Sequence, residues 1–236
     1  MSDLLDTLAA ASPQLWEGTL VTLQLTFGGA ALAFLVAVGL GLAALSPWVI
    51  VRTLVRVIVE LFRGTSLVVQ VFFLFYVLPL WGVELAPYTT GILALGLNYG
   101  AYGSEVVRGS LTSVPQGQWE TTTALSMSWL HKMRRVIWPQ AWALMLPGLN
   151  NLLIMLVKGT ALASFFLMND LTFVSDQMRR TAGTFTSYGI AMVIYLLIAL
   201  ALSWALRVLE ARALRRLGLR EPTKGETAKA TAEAVA

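Results

Sequence analysis

The stretch that decides the fold is residues 18–51, GTLVTLQLTFGGAALAFLVAVGLGLAALSPWVIV, which contains no charged residue between Glu17 and Arg52. Further uncharged runs separate Arg63 from Glu84, Glu84 from Glu105, Arg135 from Lys158 and Arg180 from Arg207. Crossing a bilayer takes about 20 apolar residues, and backbone in lipid must satisfy its own hydrogen bonds, so each run reads as a helix. The spacing predicts an all-α membrane protein with about five transmembrane helices, near residues 18–45, 57–80, 87–108, 142–168 and 185–208. The start of the second, Val57 to Gly64, carries Glu60 and Arg63 and reads equally as an interfacial turn.

Lys and Arg orient the spans, because they concentrate in cytoplasmic loops. Residues 1–17 hold Asp3, Asp6 and Glu17 and no base, which predicts an extracytoplasmic N-terminus. Arg52 and Arg56 place the first loop inside, and Glu84 leaves the second outside. Arg108, Lys132, Arg134 and Arg135 place the third inside. Arg207, Arg212, Arg215 and Arg216 do the same for the C-terminal end. Only Arg179 and Arg180 oppose the pattern, and Asp170 and Asp176 balance them in part. The predicted organisation is a transmembrane domain over residues 18–220 and a disordered cytoplasmic tail over 221–236, rich in Ala, Lys, Glu and Thr. No basic region of a cleavable signal precedes the first run.

Composition narrows the function. Of 236 residues, 57% are hydrophobic and 13% charged, about half the charged share of ordinary globular domains. The mean hydropathy of +0.70 points away from a soluble enzyme or a nucleic-acid binder. There is no Cys and a single histidine, His131, so thiol chemistry, His triads and Cys/His metal sites are not expected. No G-x-x-x-x-G-K-[ST] segment is present to cradle ATP phosphates.

The long inside stretch, residues 109–140, is polar enough to sit in water. Pro115 and Gly117 mark a turn. Gln118 to Leu125 then reads as a short helix with Trp119 and Thr123 on one face. Ser126 and Ser128 fall at a turn. A basic helix from Trp129 to Trp138 follows, facing anionic headgroups, and Pro139 is expected to end it. The sum is a helix-turn-helix with an exposed ridge suited to a partner's cleft. A plain connecting loop is the other reading.

At this stretch the sequence resembles the permease subunits of ATP-binding-cassette importers, whose signature is E-A-A, three residues, G, nine residues, I-x-L-P. Glu120-Thr121-Thr122 stands at E-A-A, Ser126 at the glycine and Val136-Ile137-Trp138-Pro139 at I-x-L-P. Ser at the turn costs more if the position needs positive φ. Other blocks are similar to the polar amino acid permeases, the histidine, arginine, glutamine or glutamate type. They are Gly18-Thr-Leu-Val-Thr-Leu23, Glu60-Leu-Phe-Arg-Gly-Thr-Ser-Leu-Val-Val-Gln70 with Ser66 for the family's Pro, Gly100-Ala-Tyr-Gly-Ser-Glu-Val-Val-Arg-Gly109, Pro139-Gln-Ala141 and Lys158-Gly-Thr-Ala-Leu162. Some relatives of this subfamily carry compatible solutes such as ectoine, and these residues do not exclude that. The resemblance implies a permease subunit that is not itself an enzyme, in a bacterial inner membrane. It implies a second permease, identical or paralogous, two ATPase subunits that bind ATP and Mg, and an extracytoplasmic solute-binding protein. It makes Gln118, Glu120, Thr121, Thr122, Ala124, Leu125 and Ser126 the surface that couples to the ATPase.

Charged and polar groups inside apolar spans usually face a cavity or a partner. Asn98, beside Gly96 and Gly100, is the leading candidate for a solute pocket, with an interhelical hydrogen bond as its ordinary use. Lys158 serves the path, or satisfies carbonyls or a partner acid at a subunit interface. Asp170 holds a substrate ammonium or caps the next helix. Glu105 and Arg108, three residues apart, are expected to pair. Gly28, Gly29, Gly39 and Gly41 are expected to permit close helix packing. An ion-coupled secondary transporter for a small polar solute is the alternative, but it favours inverted repeats and paired midplane acids, and neither is visible.

Overall fold

The computed structural model describes residues 2–217 apart from Leu167, with side chains from Ala11 onward. Residues 221–236, expected to be a disordered tail, lie outside the described residues. All regular structure among the described residues is helical: α1 (Ser2–Ala43), α2 (Val49–Gly64), α3 (Leu67–Phe72), α4 (Pro87–Thr112), α5 (Gln116–Ala124), α6 (Trp129–Lys132), α7 (Trp138–Gly159), α8 (Leu171–Ala182) and α9 (Thr184–Arg216).

Three of these runs are long and apolar enough to cross a membrane: Ala11–Ala43, Trp129–Phe166 and Thr184–Arg216. The pair Val49–Gly64 and Leu67–Trp81, bent by 99° at its break, makes a fourth if counted as one span. The α4 helix is not among them, although its 26 residues reach about 39 Å at 1.5 Å per residue. Its buried set includes Thr90, Asn98, Ser104 and Ser110 together with Gly91, Gly96, Gly100 and Gly103. Much of its length is buried against other helices, so small and polar residues for close packing lower its hydropathy.

Small residues let α1 and α4 approach closely. Leu32 and Val36 of α1 press on Gly96 and Gly100, while Ile92 and Val107 of α4 press on Gly28 and Gly41. A Cβ at Gly96 would stand 2.5 Å from Leu32 Cδ2, so even alanine forces a shift there. Of the expected packing glycines, Gly39 differs, with nothing within 4 Å of its would-be Cβ. The register advances in the same sense on both helices, so α1 and α4 run parallel. The chain must therefore return along α2 and α3 between them.

Several boundaries differ from the sequence expectation. The first helix begins at Ser2 and carries Pro13 within it, so residues preceding 18 extend the helix. The second expected span, 57–80, is two helices. Here α2 begins at Val49, and the break falls at Thr65 and Ser66, both extended. Beyond α3 the run continues as a π turn, Phe73–Val77, and a 3₁₀ turn, Leu78–Trp81.

Pro139 does not end its helix. A π turn, Met133–Ile137, joins α6 to α7, and the Trp138 amide donates to the Met133 carbonyl. That wider turn brings the proline to the start of α7, where its missing N–H costs nothing. The helical run then extends through a 3₁₀ segment, Thr160–Phe166.

Candidate functional site: an exposed hairpin and a polar helix break

The hairpin from Gln116 to Met133 stands clear of the helices on its outer side. Gln118, Glu120, Thr121, Ala124, Leu125 and Ser126 are exposed, whereas Thr122 is buried and donates its hydroxyl hydrogen to the Trp119 carbonyl at 2.8 Å. The tip carries an apolar cluster: Leu125, Trp129 and Leu130 are 64%, 60% and 69% exposed. Six of the seven expected ridge residues therefore share an open surface, and Thr122 anchors that surface from beneath. Trp119, half-buried, packs with Leu111, Val114, Met133 and Ile137 against the ends of α1 and α4.

The turn is a left-handed helix cap. Ser126 has φ +53°, the sole non-glycine with positive φ among the described residues. Its amide donates to Thr123 O at 2.9 Å and that of Met127 to Thr122 O at 3.1 Å, the two bonds of a Schellman motif. This is the position at which the sequence comparison placed a glycine. Lys132 Nζ donates to Thr123 Oγ1 at 2.9 Å, tying the two arms, and Gln116 Nε2 donates to Glu120 Oε1 at 2.8 Å.

The substrate-path candidates share no hydrogen bond or ion pair with one another. Asn98, 4% exposed, donates from Nδ2 to Phe62 O and to Gln70 Oε1, both at 3.1 Å. Gln70 Nε2 in turn donates to Phe62 O at 2.9 Å and Thr65 Oγ1 at 2.8 Å. These groups satisfy the backbone freed by the α2–α3 break. Asn98 is thus a tie across that break, and Gln70 is a member of the cluster that residue-level reading missed. Its only sequence signal was its place at the end of the block starting at Glu60.

Lys158 is exposed on the last turn of α7, in a groove of about 850 Å³ with Arg207, Tyr195, Ser203 and Trp204 of α9. Asp170 is fully buried and caps α8, accepting from the amides of Thr172 at 3.1 Å and Phe173 at 3.2 Å. Burial pushes its carboxyl above the usual range, and those two amides oppose the shift. Tyr195 Oη lies 3.5 Å from Asp170 Oδ2. Tyr195 therefore stands between the Asp170 cap and the Lys158 groove, a placement that charge pattern alone does not reveal. Glu105 and Arg108 pair at 2.7 Å, as expected.

Comparison with known proteins follows the same outline. The family described as "Binding-protein-dependent transport system inner membrane component" matches residues 35–215. A probable amino-acid ABC transporter permease protein, y4tF, of Sinorhizobium fredii is 40% identical over 217 residues, covering 87% of this chain and 90% of the relative. The L-cystine transport system permease protein TcyB of Bacillus subtilis is 36% identical, with 85% and 86% covered. The glutamine transport system permease protein GlnP of Escherichia coli is 34% identical, with 86% and 94% covered. A crystal structure of an amino acid ABC transporter with histidines superposes with a TM-score of 0.79 at 30% identity, covering 87% of this chain and 96% of that one. An inward-facing methionine transporter, MetNI, superposes at 0.72 and 18% identity, which speaks to the fold alone. The chain is an integral membrane protein and belongs to the binding-protein-dependent transport system inner membrane components, the permeases of ABC importers.

Proposed function

We propose that this permease forms the translocation path for a polar amino acid or a related zwitterionic solute, and that the hairpin Gln116–Met133 receives the stroke of a separate ATPase. The observation that carries the reading is the hairpin itself, an ordered cap and apolar tip held out from the helices at one end of the bundle. A tip of this kind offers a partner a few large apolar anchors inside a polar rim, the usual anatomy of a contact surface. The relatives' amino acid substrates support the solute class.

Five crossings complete the proposal: α1, the broken α2–α3 run, α4, α7 and α9. The parallel packing of α1 and α4 supports it, because α2–α3 must then cross back. The C-terminal part of α9 lies beside the start of α7, around a cavity lined by Trp142, Leu146, Leu206 and Leu209. The end of α1 meets the hairpin around a second cavity lined by Leu45, Pro47, Trp119 and Trp129. Arg52, the hairpin bases and the bases of α9 thus gather at one end, which supports that end as the cytoplasmic one. We assign the outer end to a solute-binding protein and complete the path with a second permease and two ATPases in a bacterial inner membrane. Rigid motion of the hairpin with α4 and α7 then switches the bundle between two packings.

The test is uptake into proteoliposomes with partner ATPase and binding protein. Uptake is expected to need both partners and ATP, and Glu120→Lys is expected to abolish it while leaving the permease folded. Uptake by this chain alone, or normal uptake in the variant, would overturn the proposal.

A further inference from the structure

A cleft of about 580 Å³ between α2 and α4 is lined by Arg52, Arg56, Arg63 and Arg108 with Glu60 and Glu105. Both carboxylates are already committed: Glu60 lies 3.4 Å from Arg63 and Glu105 lies 2.7 Å from Arg108. Apart from the Thr53 hydroxyl, the donors left over are cationic. Arg52 spends Nη1 on the carbonyls of Ser46 and Pro47, at 3.0 and 3.1 Å. Its Nη2 and Nε remain. Arg56 has no hydrogen bond or ion pair within the described residues, and the Nε of Arg63 is buried without a partner. Arg52, Arg56, Arg63 and Arg108 face only Glu60 and Glu105, each of which already pairs with an arginine, so positive charge is in excess in the cleft. The cleft is therefore built for an anion.

The same helix carries the second half of the argument. Ile50, Leu54, Val57 and Leu61, one or two turns apart on α2, are all exposed. An arginine row and an open apolar row thus share α2, at the end of the bundle where the bases gather. Basic pockets between membrane helices recognise acidic headgroups in this way, and apolar surface beside the pocket suits acyl chains. We infer that the α2–α4 cleft is a binding site for an anionic phospholipid, its phosphate on Arg56 and Arg52 and its chains along the apolar row of α2.

The site is read by native mass spectrometry of the purified full-length chain with added phosphatidylglycerol, phosphatidylcholine or inorganic phosphate. Retention of phosphatidylglycerol over phosphatidylcholine is expected. Arg56→Gln is expected to weaken it about fivefold, and Arg52→Gln with it further, on the usual worth of one base at a membrane surface. Arg56→Lys should retain most of the binding, and Arg179→Gln, on α8, should change nothing. Three results would each overturn the inference: equal retention of the two lipids, loss in Arg179→Gln matching that in Arg56→Gln, or displacement of the lipid by millimolar phosphate, which would make the ligand a free anion. So would a second copy of the chain found covering the cleft. The readout does not involve transport, so its failure leaves the proposed function standing, and failure of uptake leaves this site standing.

Discussion

Ser126→Gly is the sharpest probe of the hairpin. Ser126 sits at φ +53°, a conformation that costs an L-residue about 1–2 kcal/mol. Its hydroxyl has no partner among the described residues, so glycine forfeits no bond there. Glycine does return about 0.4–1 kcal/mol to the unfolded chain through its extra freedom. The net expectation is a hairpin more stable by roughly 0.5–1 kcal/mol. Hydrogen exchange reads this locally, because the amides of Ser126 and Met127 are the bonds of the cap and exchange through local opening. Their protection should rise about two- to fivefold in Ser126→Gly. It should fall in Ser126→Val, where a β-branched residue is a genuine outlier at positive φ. Unchanged or lower protection in the glycine variant would refute the left-handed cap and the packing built on it.

Three other outcomes follow from named contacts. Asn98→Ala removes two donated bonds at the α2–α3 break and should cost about 1–3 kcal/mol in unfolding. Because Gln70 shares the cluster, the Asn98→Ala, Gln70→Ala double variant should cost less than the two single changes summed, and simple additivity would contradict a shared network. Ser66→Pro should be tolerated or stabilising by about 0.4–1 kcal/mol, since Ser66 holds φ −69° after an extended Thr65; a large drop in melting temperature would contradict that geometry. Tyr188 donates to Asp176 at 2.9 Å, and this bond, with help from Arg179, holds the carboxyl below its ordinary value of 3.8. The link from α8 to α9 should therefore persist above pH 3.8 and be lost as pH falls through the lowered pKa. An infrared carboxylate titration missing from Asp176→Asn should show its midpoint below 3.8, and a midpoint at or above it would contradict the contact.

Charge-free runs anticipated α1, α7 and α9, whose helical runs are long and apolar enough to cross a membrane, because a lipid-facing helix must be apolar along most of its length. Glu60 and Arg63 set Val57–Gly64 apart from the run after it and so put a boundary at Gly64, where α2 ends, although α2 is a 16-residue helix and not a turn. Gly64 marks the end of the helix before Thr65 and Ser66, but the bonds that stabilise the break come from Gln70 and from Asn98, 28 residues beyond it, and no local signal shows them. Pro139 misled for a related reason. A proline stops a helix only where no wider turn precedes it, and the π turn at Met133–Ile137 cannot be read from composition. The hairpin ridge was legible because its spacing and turn chemistry are local. Its one buried member, Thr122, shows the limit: which side of a nine-residue helix faces inward depends on Trp119 and the partners of Trp119, not on the helix. The different partners of Asn98, Lys158 and Asp170 were likewise invisible, since each depends on which neighbouring element its side chain meets.

The chain has no native cysteine, so a single one reports without background. Leu125→Cys, at the open tip of the hairpin, should cross-link to the partner ATPase in membranes, and the link should block ATP-driven uptake. Phe185→Cys, 94% exposed at the start of α9, should do neither. An ATPase cross-link at residue 185 and none at 125, or full uptake with the hairpin cross-linked, would contradict the hairpin as the lever.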